Sequence, residues 1–425
     1  MYLKGSKWQL QKRRKKRRSN PAYIVLLVLL ISAVLYFNQF VIPAIQPTFV
    51  STPTATIDPE SIMTQSREQF EAGNLHRAIE LIEEAILAGD TSSATFSDLA
   101  RIQIFAGQYE AAKTSAQNSL LMNPNNPTAL SLYAWALSFL GDLLEAERIV
   151  LQALDTDPDS ALAHAVYSEI LVDSLRYEEG GEQSRIALEL DASLLEVHRA
   201  RAYVLELTGN YDDAISEYQN ALDINDNIAD LHLALGRVYR ALGQNNEAIN
   251  EFNLANALDP TNPLPDTYIG RIYLLIGEYA KAVQTFQTAV EEDPSNPIRY
   301  GNLGTAYYRN QQYDDAIRVL AYAINGGVTE GGVQVQPVLL SEELVELYYL
   351  YGFALVIRLR CAEALPVFQA ILTSISNQTA IENAQEGVRS CAEIGSNLPT
   401  PTATFPPIEA SPTPTVEGNM TDSDT

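Results

Sequence analysis

The chain has 425 residues and a formal net charge of −25, spread very unevenly. Residues 1–20 hold nine of the 28 Lys/Arg and none of the 53 Asp/Glu. A body this acidic repels phosphate backbones, which argues against nucleic-acid binding by the main part of the chain. Two cysteines are too few for a disulfide-framed fold.

The first element is announced by charge. Residues 12–18, KRRKKRR, run into a stretch without charge from Ala22 to Phe37, and the apolar character continues through Phe40, Val41 and Ile42. A basic run of this kind suits a nuclear or nucleic-acid patch, a membrane-surface anchor or a topology signal. About 20 apolar residues match the length a helix needs to cross roughly 30 Å of hydrocarbon, and positive residues before a span stay on the cytoplasmic side. A cleaved signal peptide has the same order, yet no small-x-small site follows and the apolar stretch exceeds a usual signal core. The expectation is therefore a basic cytoplasmic tail (1–20) and one transmembrane helix (21–42). The chain would be a single-pass protein of the cell membrane with everything beyond extracytoplasmic.

Residues 43–58 and 396–425 are rich in Pro and Thr and share the string PTAT. Such composition predicts disordered spacers or stalks, with or without O-linked sugars.

Between them the sequence repeats every 34 residues. Pro124, Pro158, Pro260 and Pro294 follow Asp or Asn on one lattice, and Gly107, Gly141, Gly209, Gly243 and Gly277 fall on another column of it. Ala78, Ala112, Ala146, Ala214, Ala248, Ala282 and Ala316 mark a third column, and Tyr109, Tyr177, Tyr211, Tyr279 and Tyr313 a fourth. Small residues, aromatics and proline at these offsets resemble the tetratricopeptide repeat (TPR). The resemblance implies an all-α, right-handed superhelical solenoid of about nine helix-turn-helix units, preceded by the transmembrane helix. Eight units run in continuous register over 59–327, starting at 59, 93, 127, 161, 195, 229, 263 and 297. After an insert (328–344), a ninth unit and a closing helix occupy 345–395. Unit 1 lacks the first-helix aromatic and unit 4 has Gly180 at the usual alanine, so both are expected to be frayed or edge-like. The glycine-rich GGVTEGG (326–332) is expected to be flexible.

No pattern in the repeats carries recognisable chemistry. His164, His198 and His232 recur at position 4, but equivalent sites in neighbouring units lie about 8–10 Å apart, too far to share a metal with bonds near 2 Å. DINDNIAD (223–230) has alternating oxygens, yet lacks the turn glycine and closing glutamate of a calcium loop. No phosphate loop, HExxH, CxxC or nucleophile elbow occurs, so no catalytic site, metal or cofactor is expected. Cys361 falls at the turn of unit 9 and Cys391 near the end of the closing helix. If that helix packs as the start of a tenth unit, the two sulfurs meet in a bridge pinning the C-terminal cap; otherwise they are buried thiols.

The family resemblance implies a peptide groove on the first helices, whose positions 5, 9, 12 and 13 point inward. In units 5–8 these include Arg199, Arg237, Arg240, Arg271 and Arg309. Tyr203 and Tyr308 lie alongside, and Asn302 sits where family members bond a peptide backbone. Forked arginines suit carboxylates, so the implied partner is a protein or peptide with an acidic segment; the alternative is that these arginines neutralise glutamates within the array. The functional expectation is a membrane-anchored, extracytoplasmic interaction scaffold in a cell-envelope assembly, with an accessory chaperone for exported or unfolded polypeptides as the alternative. With repeats and linkers using nearly all residues, neither an enzyme nor a small-molecule substrate is expected.

Overall fold

A computed structural model describes residues 21–36 and 58–397, and the chain divides into two compact units, Met1–Asp58 and Pro59–Thr425. Residues 1–20 with the basic run, residues 37–42, and the Pro/Thr-rich segments over 43–57 and 398–425 lie outside the described residues.

In the first unit, α1 (Pro21–Tyr36) is a 16-residue apolar helix whose side chains are exposed all round. At 1.5 Å per residue it spans about 24 Å. Among the described residues, no helix is long and apolar enough to cross a membrane. The transmembrane helix expected over 21–42 is thus not supported by the described residues, and residues 37–42 lie outside them.

The second unit is a stack of helical hairpins. Unit 1 pairs α2 (Pro59–Glu71) with α3 (Leu75–Leu87), unit 2 α4 (Ser93–Phe105) with α5 (Tyr109–Met122), and unit 3 α6 (Pro127–Phe139) with α7 (Leu143–Thr156). Unit 4 follows with α8 (Ala161–Asp173) and α9 (Tyr177–Leu190), unit 5 with α10 (Leu195–Leu207) and α11 (Tyr211–Ile224), and unit 6 with α12 (Ala229–Ala241) and α13 (Asn245–Leu258). Units 7 and 8 are α14 (Leu264–Ile276) with α15 (Tyr279–Glu292) and α16 (Pro297–Arg309) with α17 (Tyr313–Asn325). Unit 9 is α18 (Val345–Ile357) with α19 (Cys361–Ser374), and α20 (Gln378–Asn397) closes the array.

Local chemistry sets these boundaries. Asn126 caps α6 by accepting from the Ala129 amide, and Pro127 then occupies the first turn, where its missing N–H costs nothing. Within a unit the two helices approach where the first supplies a small residue. A Cβ added to Gly236 would lie 2.6 Å from the Phe252 ring, and the same holds for Gly352 against Phe368. The aromatic ring fills the space that the absent side chain leaves.

Three expectations are corrected. Unit 4 is not frayed: Gly180 is buried, and a Cβ there would meet the Val172 side chain at 2.6 Å, so glycine permits close packing of α8 on α9. Unit 1 is not a loose edge. Asn225 and Asn227, from the junction read as DINDNIAD, donate side-chain hydrogen bonds to the carbonyls of Phe70 (3.3 Å) and Glu71 (3.0 Å). Units 1 and 5 thereby meet, and Gly73 (φ +79°) makes room for the Asn227 backbone. GGVTEGG is also ordered: β1 (Gly327–Val328) pairs antiparallel with β2 (Gln334–Val335), and Val335 and Val338 are buried against the last units. The hairpin is anchored because Val335, and Val338 just beyond it, find a core that the sequence pattern did not reveal.

Candidate functional site

The arginines named above all lie on first helices, and they meet different fates. Arg199 is buried and donates to Glu169 of the preceding unit, whose other oxygen accepts from the Trp135 indole at 2.9 Å. Its guanidinium also lies 4.9 Å from the Trp135 ring centroid. Burial works against the Arg199 charge, but Glu169 and Asp230 outweigh it and hold the group above the usual guanidinium range. Burial in turn pushes Glu169 upward, opposed by Arg199 and Trp135. Arg237 forks onto Glu206, at 3.1 and 3.2 Å, and Tyr218 donates to the same carboxylate. Tyr203 donates to Asp173 at 2.6 Å. Arg101, in unit 2, pairs with Glu196 of unit 5. Arg199, Arg237 and Tyr203 are thus not open groove residues. They join a polar spine that ties units 2–6 together, because carboxylates on neighbouring first helices reach them before any ligand would.

Arg240 is exposed and lies 5.2 Å from the Tyr268 ring centroid, and Tyr308 packs edge-on against Tyr313. The remaining three residues converge. Arg271, Asn302 and Arg309 all line one cleft of about 560 Å³ between units 7, 8 and 9. Asn302 Nδ2 is buried and has no acceptor. Arg271 makes no ion pair or hydrogen bond among the described residues, while Arg309 lies 3.5 Å from Glu346 with both side chains 49% exposed. Leu274, Ile298 and Leu347 supply apolar lining. A buried amide donor without a partner costs roughly 1–3 kcal/mol, so the cleft offers an unmet demand for an acceptor.

Glu343, Leu344 and Glu346 complete this cleft and were not anticipated. Glu343 and Leu344 end the insert and Glu346 opens unit 9, and the signal that could have found them is the break in the 34-residue lattice, which sets unit 9 apart from unit 8.

The other candidates fall out differently. Each histidine of the ladder joins the second helix of its own unit to the junction with the preceding one: His198 contacts Glu217 (2.6 Å) and the Ala192 carbonyl, and His232 contacts Glu251 (2.7 Å) and the Asp226 carbonyl. His164 does the same with Gln183 and Pro158. Among the described residues, no group of His, Cys, Asp and Glu is arranged to hold a metal. Cys361 and Cys391 form a disulfide with their Cα atoms 5.5 Å apart, joining the first turn of α19 to α20.

A family model described as tetratricopeptide repeat matches residues 106–170 and 207–267, and another described as TPR repeat matches 270–311. The chain carries tetratricopeptide repeats. TPR arrays are in general non-catalytic scaffolds for protein–protein interaction. The crystal structure of the APC/C hetero-tetramer Cut9-Hcn1 is similar at 16% identity and a TM-score of 0.52, over 78% of this chain and 76% of that one, a likeness of fold alone. Pseudomonas aeruginosa PilF is similar at 18% identity and a TM-score of 0.41, over 46% of this chain and 88% of that one. A tetratricopeptide repeat protein from Parabacteroides merdae gives 19% and 0.39, over 58% and 98%. No curated protein matches in sequence.

Proposed function

We propose that this TPR chain is a membrane-anchored, extracytoplasmic scaffold of a cell-envelope assembly. It holds a protein partner by an extended, acid-bearing segment in the cleft of units 7–9. The observation that carries the binding reading is the buried Asn302 amide, unsatisfied in a cleft also lined by Arg271 and Arg309. An extended peptide offers backbone carbonyls to the amide and a carboxylate to Arg271, while the aliphatic lining receives a neighbouring side chain.

The anchoring reading is supported by the basic run at 12–18 and the apolar sequence through residue 42, of which α1 is the described part. A disulfide between Cys361 and Cys391 suits an oxidising compartment.

Two measurements test these halves separately. Binding of a randomised peptide library to the full chain should enrich acid-bearing sequences, and Arg271→Glu/Arg309→Glu should weaken them by about tenfold or more, as expected when close charge pairs become repulsive. Unchanged binding by the variant would remove the cleft from consideration. Protease added outside intact cells should cut within 59–397; full protection there would overturn the orientation.

A further inference from the structure

The cleft is not simply basic. Its charged lining comes from two places: Arg271 and Arg309 on α14 and α16, and Glu343 and Glu346 on the segment that leads from the hairpin into α18. Two cations and two anions balance within a chain whose net charge is −25. Each of these two places also keeps one charge without an ion pair among the described residues: Arg271 in the first and Glu343 in the second. The Arg309–Glu346 pair is half-exposed, and such pairs exchange partners at little cost.

We infer that the cleft selects a dipolar peptide segment, with an acidic side chain for Arg271 and a basic one for Glu343 and Glu346, rather than a run of acids. This rests on the peptide-binding reading given above. In an extended peptide, alternate side chains share a face and lie about 6–7 Å apart, so an acid and a base two residues apart both turn into the cleft. A second acid at the alternate position would approach Glu343 and Glu346, and like-charge juxtaposition at an interface is strongly disfavoured. The insert is then a specificity element. With the start of α18 it brings two carboxylates into the cleft that the arginines of the repeat lattice line, and discriminates by repulsion as well as by attraction.

The test uses the full chain and three fluorescent hexapeptides that share a leucine-containing frame and differ at two alternate positions: Asp/Lys, Asp/Asp and Lys/Lys. Fluorescence anisotropy should show Asp/Lys binding about tenfold tighter than either other peptide. In Glu343→Gln/Glu346→Gln, which alters only exposed side chains, Asp/Asp should gain and come within about threefold of Asp/Lys. Equal binding of Asp/Asp and Asp/Lys to the unaltered chain would overturn the dipolar inference while leaving the acid-binding cleft standing. Discrimination that survives in the double variant would overturn it too. If neither Asp-containing peptide binds the unaltered chain, the cleft reading itself fails and takes this inference with it.

Discussion

At position 15 of each unit the chain turns with a positive φ, which glycine adopts without strain. Gly73, Gly107, Gly141, Gly209, Gly243 and Gly277 do so at +69° to +83°, but Leu175, Gln311 and Leu359 hold the same turn at +61° to +62°. A left-handed backbone costs an L-residue roughly 1–2 kcal/mol, and Leu175 is 73% exposed, so its side chain returns little by burial. Leu175→Gly should therefore stabilise the array by about 0.5–1 kcal/mol, after the entropic cost of glycine in the unfolded chain. Denaturant unfolding measures this, and a loss of stability would contradict the strain argument. The glycine column was legible because its cause is local. The fate of Arg199 was not: whether an arginine faces a ligand or a glutamate depends on Glu169, 30 residues away, and on how far the first helices turn per unit. The same blindness covers Arg101, whose partner Glu196 lies 95 residues on.

Between elements, the junction of α15 with α16 concentrates charge. Asp266 and Glu292 each keep a buried carboxylate oxygen without a hydrogen-bond partner, and Arg299 Nε, also without one, lies 3.9 Å from Asp293. Burial raises Glu292 to about 7, helped by Asp266, Glu291 and Asp259 and opposed by Arg299. A carboxyl raised in the folded state binds more protons there than in the unfolded chain, where its pKa is about 4.3. Its contribution is thus fully present below about pH 4.3, falls as pH rises toward 7, and levels off above. Hydrogen exchange of α15 and α16 should be faster at pH 7.5 than at pH 5.5 after correction for intrinsic rates. Glu292→Gln should flatten that dependence, and an unchanged pH profile in the variant would contradict it. The helices themselves were readable from the 34-residue lattice, since caps, small residues and aromatics all recur in phase. The hairpin after unit 8 escaped because two-residue strands carry no period, and its order comes from Val335 and Val338 finding the core.

Over the whole repeat array, the contacts divide its first helices into two stretches with different uses. From unit 2 to unit 6 the inward charges apart from the exposed Arg240 are paired internally, and unit 1 is tied to the end of unit 5 through Asn225 and Asn227. From unit 7 to unit 9 the chain leaves Arg271, Glu343 and the Asn302 amide unmatched around one cleft. The periodic sequence displays every unit as an equivalent binding site. Only the three-dimensional return of the chain on itself shows which sites are already filled, and a composition-level excess of acid over base cannot say where the surplus goes. Hydrogen–deuterium exchange of the full chain, with and without its tightest library peptide, tests this division most directly. The account predicts protection confined to 264–276, 297–309 and 343–347, with α4, α6, α8 and α10 unchanged. Protection along those four helices instead would place the ligand in the first stretch and contradict the assignment of the cleft.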